Sequence, residues 1–261
     1  MTTVNFYSKG FFGYSDKQDF YIGSIWHFIP IILMIVAIIL IYKYRKQIKK
    51  YKYESTIRYV LAFVMLIVEM SYFWRLLYVG SQGKYPDMMQ FLPIQMCQWG
   101  LILTIFTLTS KNKKLFSFNF YITLLFATIA LIYPKVILYT GPTYYRYYQF
   151  WLEHILPIIS IFYLMFVHKL KPDYKGIFRT YIAVTPLVIV SVIANAKIPN
   201  AEYLYLTMKV PFLPDNQIAK IPVLVVITMI LFHLMYFIYY KIDNRKKSKK
   251  KKNKKKKVKV A

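Results

Sequence analysis

Read for polarity alone, the chain is a succession of apolar runs broken by short polar connections. Seven runs are long enough to cross a hydrocarbon core, which takes roughly 20 helical residues: Ile25 to Tyr42, Ile57 to Val79, Phe91 to Thr109, Leu115 to Tyr133, Phe150 to His168, Phe178 to Ala196 and Ile218 to Tyr240. The pattern predicts an all-α membrane protein whose residues 1–240 form a bundle of seven transmembrane helices. Internal Pro30, Pro157, Pro186 and Pro222 are compatible with such helices, because neighbouring helices can satisfy the carbonyls that a proline frees. Beyond Tyr240 the apolar pattern stops. Residues 241–261 are lysine-rich and of low complexity, which predicts a disordered cytoplasmic tail.

Composition supports the membrane assignment: 57% of the 261 residues are hydrophobic and 19% aromatic, too apolar for a soluble domain. The net charge of +26 resembles a nucleic-acid signature only until it is located, since 13 of the 36 Lys and Arg lie in the last 21 residues. The tail is therefore expected to contact anionic lipid head groups, and no specific nucleic acid is expected. Counted over alternate connections and helix ends, one side of the membrane carries 27 basic residues and the other 9, or 14 against 9 without the tail. This bias puts the N-terminus outside and the C-terminus in the cytoplasm of a cell-membrane protein. The opening residues Met1 to Gly23 lack the basic region and short apolar core of a cleavable signal.

Polar residues inside such a bundle are expensive and point to function. In this topology Cys97 and His154 both lie roughly 6 to 9 Å below the outer interface, in segments that enter from the same side. Gln95, Gln149, Glu153, Arg146, Arg75 and Asn195 gather near the same end. The expectation is a cavity open to the outer leaflet, lined by a thiol, an imidazole, guanidinium groups and amides, with apolar walls below. A lipid fits it with its head group up and its chains down.

Each residue also has a plainer reading. Cys97 alone can be a small buried hydrophobe, and His154 a helix-end anchor. Arg75 and Arg146 either snorkel to head groups or clamp a lipid phosphate in bidentate fashion. His27 and His168 suit interfacial positions, while His233 is a candidate partner for Glu69. One cysteine rules out an internal disulfide and a multi-cysteine metal site. The sequence holds no Walker loop, GxGxxG, HExxH, GxSxG or CxxC pattern, so no metal or cofactor is expected.

The order Arg58-Tyr59, Glu69, Trp74, Leu92-Pro93-Ile94-Gln95-Met96-Cys97, Arg146, Gln149-Phe150, His154, Asn195, Asn200, Tyr203 and Asp215 resembles the bacterial YwaF-like integral membrane proteins. These are related to the transmembrane protein 164 acyltransferases of animals. The resemblance runs to about Tyr240 and rests chiefly on the Leu-Pro-x-x-x-Cys and Arg-x-x-Gln-Phe-x-x-x-His stretches. It implies a phospholipid acyltransferase in which Cys97 carries the acyl group and His154 assists. Relatives often have Pro-His where this chain has Pro142-Thr143.

Together these readings give an acyltransferase that moves a fatty acyl group between glycerophospholipid and lysophospholipid. Cys97 is its nucleophile and His154 its base for both the thiol and the acceptor hydroxyl. The substrate-binding candidates are Arg75, Gln95, Arg146, Gln149, Glu153 and Asn195. A hydrolase would use the same residues. The competing class is a transporter or lipid-binding scaffold that needs no reactive thiol.

Overall fold

The computed structural model describes residues 10–15, 17–81, 92–198 and 201–258, and side chains for all of these but 79–81 and 246–258. Phe91 and Asn200, both named above, lie outside the described residues. The described chain is helical, in the order α1 (Ile25–Lys50), α2 (Glu54–Ser81), α3 (Met96–Ser110), α4 (Lys113–Ile132), α5 (Tyr145–Phe166), α6 (Lys175–Lys197) and α7 (Gln217–Val258). Six of these helices are long and apolar enough to cross a membrane, and α3 is the exception at 15 residues. The chain is an integral multi-pass membrane protein.

The short α3 corrects the expected third span. Pro93 and Gln95 hold residues 92–95 in a turn, with the Ile94 amide on the Leu92 carbonyl and Gln95 in extended backbone as N-cap. The helix therefore starts at Met96 and is about 22 Å long, short of the roughly 30 Å hydrocarbon layer. Cys97 is its second residue, not the sixth or seventh of a full span. Conversely, α5 begins at Tyr145, five residues before the expected Phe150, so His154 lies about 14 Å along it.

Helix α5 is the axis of the bundle: it packs on α1, α2, α3 and α4. Helix α3 lies against α2, α4 and α5, so the expected contact of the third and fifth helices is present. A core of Met65, Leu101, Phe116, Tyr121, Ile161 and Leu164 fills the space between these four. Helices α1 and α7 instead expose apolar residues such as Leu33, Ile39, Ile230 and Phe237, as suits surfaces solvated by lipid chains.

Two polar devices join α3 to α4. The connection is a tight turn, with Lys111 in the left-handed region (φ 51°) and the Asn112 side chain capping the Lys114 and Leu115 amides. Between the helices, the Asn119 amide donates to Thr104 Oγ1 at 3.0 Å, and Thr123 Oγ1 donates to Asn119 Oδ1 at 2.7 Å. Every polar group buried here has a partner, which hydrocarbon surroundings demand. Thr123 also opens a π-helical turn, Thr123–Ala127, that packs on both α3 and α5.

The lysine-rich segment departs from the expected disorder. Helix α7 continues through Tyr240 to Val258 without a break. Lysine is a good helix former, and extending an existing helix avoids the cost of nucleation, which offsets repulsion along the tail.

Candidate functional site

The polar interior is built on one face of α5. Arg146, Gln149 and Glu153 stand three and four residues apart, which stacks them on one side of the helix. Arg146 Nη1 reaches Glu153 Oε2 at 3.2 Å, and Gln149 Nε2 donates to the same oxygen at 3.1 Å. Arg146 also donates to Gln149 Oε1, and its guanidinium lies over the Tyr72 ring at 4.6 Å. Helix α2 closes this face with Val68, whose carbonyl accepts from Gln149 Nε2, and with Ser71, hydrogen-bonded to Tyr145. Glu69 belongs to the same place: the charges of Glu153 and Arg146 act on it, and Gln98 of α3 lies alongside.

Cys97 lies in the first turn of α3, within electrostatic range of this cluster. The charges of Glu153, Glu69 and Arg146 reach its thiol. Its Sγ donates to the Phe126 carbonyl, within the π-turn of α4, at 3.8 Å. The first-turn amides of Met96 and Cys97 have no acceptor within their own helix, and the positive end of the helix dipole lies at the sulfur. Close approach of α4 depends on Gly100, where a Cβ would stand 3.0 Å from Thr123 Oγ1.

His154 is buried on α5, 4.3 Å from the Phe150 ring. Its Nδ1 lies 2.7 Å from the Phe150 carbonyl oxygen. A carbonyl only accepts, so Nδ1 carries the proton and Nε2 keeps its lone pair. No hydrogen bond joins Cys97 and His154 among the described residues; each is parked on a backbone carbonyl.

The TMEM164 family model matches residues 21–240, which takes in all seven apolar helices and both motif stretches. The chain belongs to the TMEM164 family. No curated protein and no solved structure matches it.

Within this TMEM164-family bundle the expected substrate-binding residues divide into two groups. Arg146, Gln149 and Glu153 form the interior cluster. Arg75, Gln95 and Asn195 hold chain segments at the Cys97 end of the bundle. Arg75 donates from Nε to the Phe12 carbonyl at 2.8 Å, from Nη1 to the Tyr14 hydroxyl at 2.9 Å and from Nη2 to the Gly13 carbonyl at 3.1 Å. Three of its five donors are thus spent on the N-terminal segment, which leaves it unsuited to clamp a phosphate. Gln95 donates to the Glu202 carbonyl and accepts from the Leu204 amide. Asn195 makes the same reciprocal pair with Tyr203.

These two amides, with buried Lys220 on the Leu206 and Met208 carbonyls, pin the loop at 201–208 over the start of α3. Leu204 and Tyr205 in that loop both have positive φ, 58° and 56°, a conformation that costs non-glycine residues energy and that the clamps maintain. Tyr205, half exposed in that loop, is within electrostatic range of the Cys97 thiol.

Three further histidines have structural partners. His27 bonds the Leu131 carbonyl and the Gly23 amide, and His168 bonds Glu54. His233 bonds Met229 and Tyr174, not Glu69 as the sequence suggested. Thr143, at the departure from the Pro-His pattern, donates to Asp19. Glu69, offered by the sequence only as a partner for His233, belongs instead with the cluster on α5. Its signal in the sequence is the intramembrane carboxylate itself.

Proposed function

We propose that this protein is a phospholipid acyltransferase of the cell membrane that works through a thioester on Cys97. The observation that carries the reading is the placement of Cys97 in the first turn of a helix that starts inside the bundle and packs on the helix bearing His154. A helix start stabilises a thiolate, and its unpaired amides can receive the oxyanion formed when an ester carbonyl is attacked. The free Nε2 of His154 is the base, once the thiol leaves the Phe126 carbonyl and the imidazole meets it.

In the first half, Sγ attacks the ester carbonyl carbon of a glycerophospholipid. The C–S bond forms, the C–O bond breaks, and the thiol proton passes through His154 to the departing lysolipid oxygen. In the second half, a lysolipid hydroxyl attacks the thioester and restores the thiol. The reading places the Cys97 end outside and the lysine-rich end of α7 in the cytoplasm, where it contacts anionic head groups.

The test is acyl transfer by the purified protein in liposomes. Cys97→Ala should abolish transfer while the protein stays monodisperse, and His154→Ala should slow it by roughly 10²-fold or more. Transfer by Cys97→Ala at the wild-type rate would refute the thioester.

A further inference from the structure

The α2 side of the cluster holds a group that this mechanism leaves unused. Glu69 is 4% exposed, and neither of its carboxylate oxygens has a hydrogen-bond partner. Two donors of the cluster serve the other carboxylate: Arg146 Nη1 and Gln149 Nε2 both bond Glu153. Gln98 takes the Gln95 amide on its Oε1 and turns toward Glu69, whose oxygens still lack a hydrogen bond of normal geometry. The site therefore contains two carboxyl groups in unlike company, one saturated by a guanidinium and an amide, the other bare. Buried polar groups are nearly always paired, so a bare carboxyl group in the cluster beside α3 calls for a partner that the ligand brings.

The chemistry of that partner follows from the carboxyl group. The ester linkages of a diacyl lipid offer only acceptors, which have nothing to give a carboxylate. The free hydroxyl of an acyl acceptor offers an O–H.

We propose that Glu69 receives the hydroxyl of the incoming lysolipid and takes its proton in the second half of the transfer. The inference rests on the Cys97 thioester reading and replaces His154 as the base for that step. The acceptor oxygen bonds to the thioester carbonyl carbon while its proton passes to a Glu69 oxygen. The C–S bond breaks with its electron pair on Sγ, and the proton moves on from Glu69 to that thiolate. Glu69 and Cys97 end as they began, and His154 is left to the first half.

The experiment separates the two halves. The purified full chain in liposomes is given a phospholipid with a labelled acyl chain; acyl-Cys97 is measured as hydroxylamine-releasable label, then lysolipid is added and transfer is followed. Glu69→Gln, which keeps the size and removes the base, should still form acyl-Cys97 and pass the chain to lysolipid roughly 10²- to 10⁴-fold more slowly. Glu69→Asp should also acylate normally and transfer at an intermediate rate. Glu69→Gln transferring at the wild-type rate overturns the proposal, and so does loss of acylation in a monodisperse Glu69→Gln protein. Should Glu69→Gln not fold, Glu69→Asp decides: slowed transfer after normal acylation supports the proposal, and two unchanged rates overturn it. A wild-type protein with no acyl-Cys97 is a different failure, that of the thioester itself, and is seen before any Glu69 variant is made.

Discussion

Gly176 stands where α6 passes α4, and a Cβ there would lie 2.0 Å from Ser117 Oγ. The contact is a polar joint: Asp173 caps the Gly176 amide at 2.6 Å, accepts from Ser117 Oγ at 3.0 Å and pairs with Arg179 at 3.0 Å. Gly176→Ala should therefore lower the thermal stability of the purified protein, because Ser117 must give way and carry its Asp173 bonds with it. Partial burial pushes the Asp173 carboxyl up, but the hydrogen bonds from Ser117, Arg179 and the Gly176 amide outweigh it and hold the pKa below the usual carboxylate value. A lowered carboxylate contributes stability above its ordinary pKa of about 4 and loses it as pH falls through the lowered one. The gap in Tm between wild type and Asp173→Ala should accordingly be full near neutrality and shrink in that acid range; a constant gap would assign the effect to packing instead. None of this joint was visible in the sequence, where Asp173 and Gly176 read as an ordinary polar connection. The spacing of Arg146, Gln149 and Glu153 does carry their cluster, because residues three and four apart share a face.

At the scale of the element, α3 and the loop at 201–208 are one unit. Gln95 and Asn195 fix a strained loop at the start of α3, each through a reciprocal pair with its backbone. Replacing either by alanine removes both bonds of a pair and lets Leu204 and Tyr205 relax from positive φ. Gln95→Ala and Asn195→Ala should thus increase protease cleavage within the loop and raise the rate at which a lipid-soluble thiol reagent labels Cys97. Unchanged labelling would mean that the loop does not guard the thiol. The sequence marked both amides as unusual for a membrane interior but gave no sign of their use, since their partners are backbone groups about 100 residues away for Gln95 and in the next connection for Asn195. The positions of Pro93 and Gln95 did hold the information that α3 starts late; an apolar count over Leu92 and Ile94 obscured it.

Over the whole molecule, the site is held where α2, α3 and α5 meet, and the far end of the same helices is tied by a second cluster. There, one Glu54 oxygen receives Arg58 Nε at 2.9 Å, the Tyr163 hydroxyl and His168 Nε2 at 2.7 Å. Arg58 also donates to the Leu108 carbonyl at the end of α3. Both ends of the bundle are therefore closed by charge, with an apolar core between them. At the Cys97 end the Arg146–Glu153 pair is buried, and removing one partner strands the other, at a typical cost of roughly 3–5 kcal/mol. Arg146→Gln should destabilise the protein more than the double replacement Arg146→Gln with Glu153→Gln, as read from thermal unfolding in detergent. Additive losses would mean that the two side chains act independently. The order of the helices was legible from polarity alone, and six of the seven expected spans are long enough to cross a membrane. Which helix forms the axis was not, since apolar runs do not say which of their faces meet protein and which meet lipid.

The shortness of α3 has a consequence for the surrounding bilayer. On the acyltransferase reading, a 15-residue helix among longer ones would draw the leaflet thinner on the side of Cys97, beside the loop at 201–208. Turnover should then depend on the host membrane: liposomes of long-chain lipids, which resist thinning, would hold ester carbonyls farther from the sulfur than short-chain ones do.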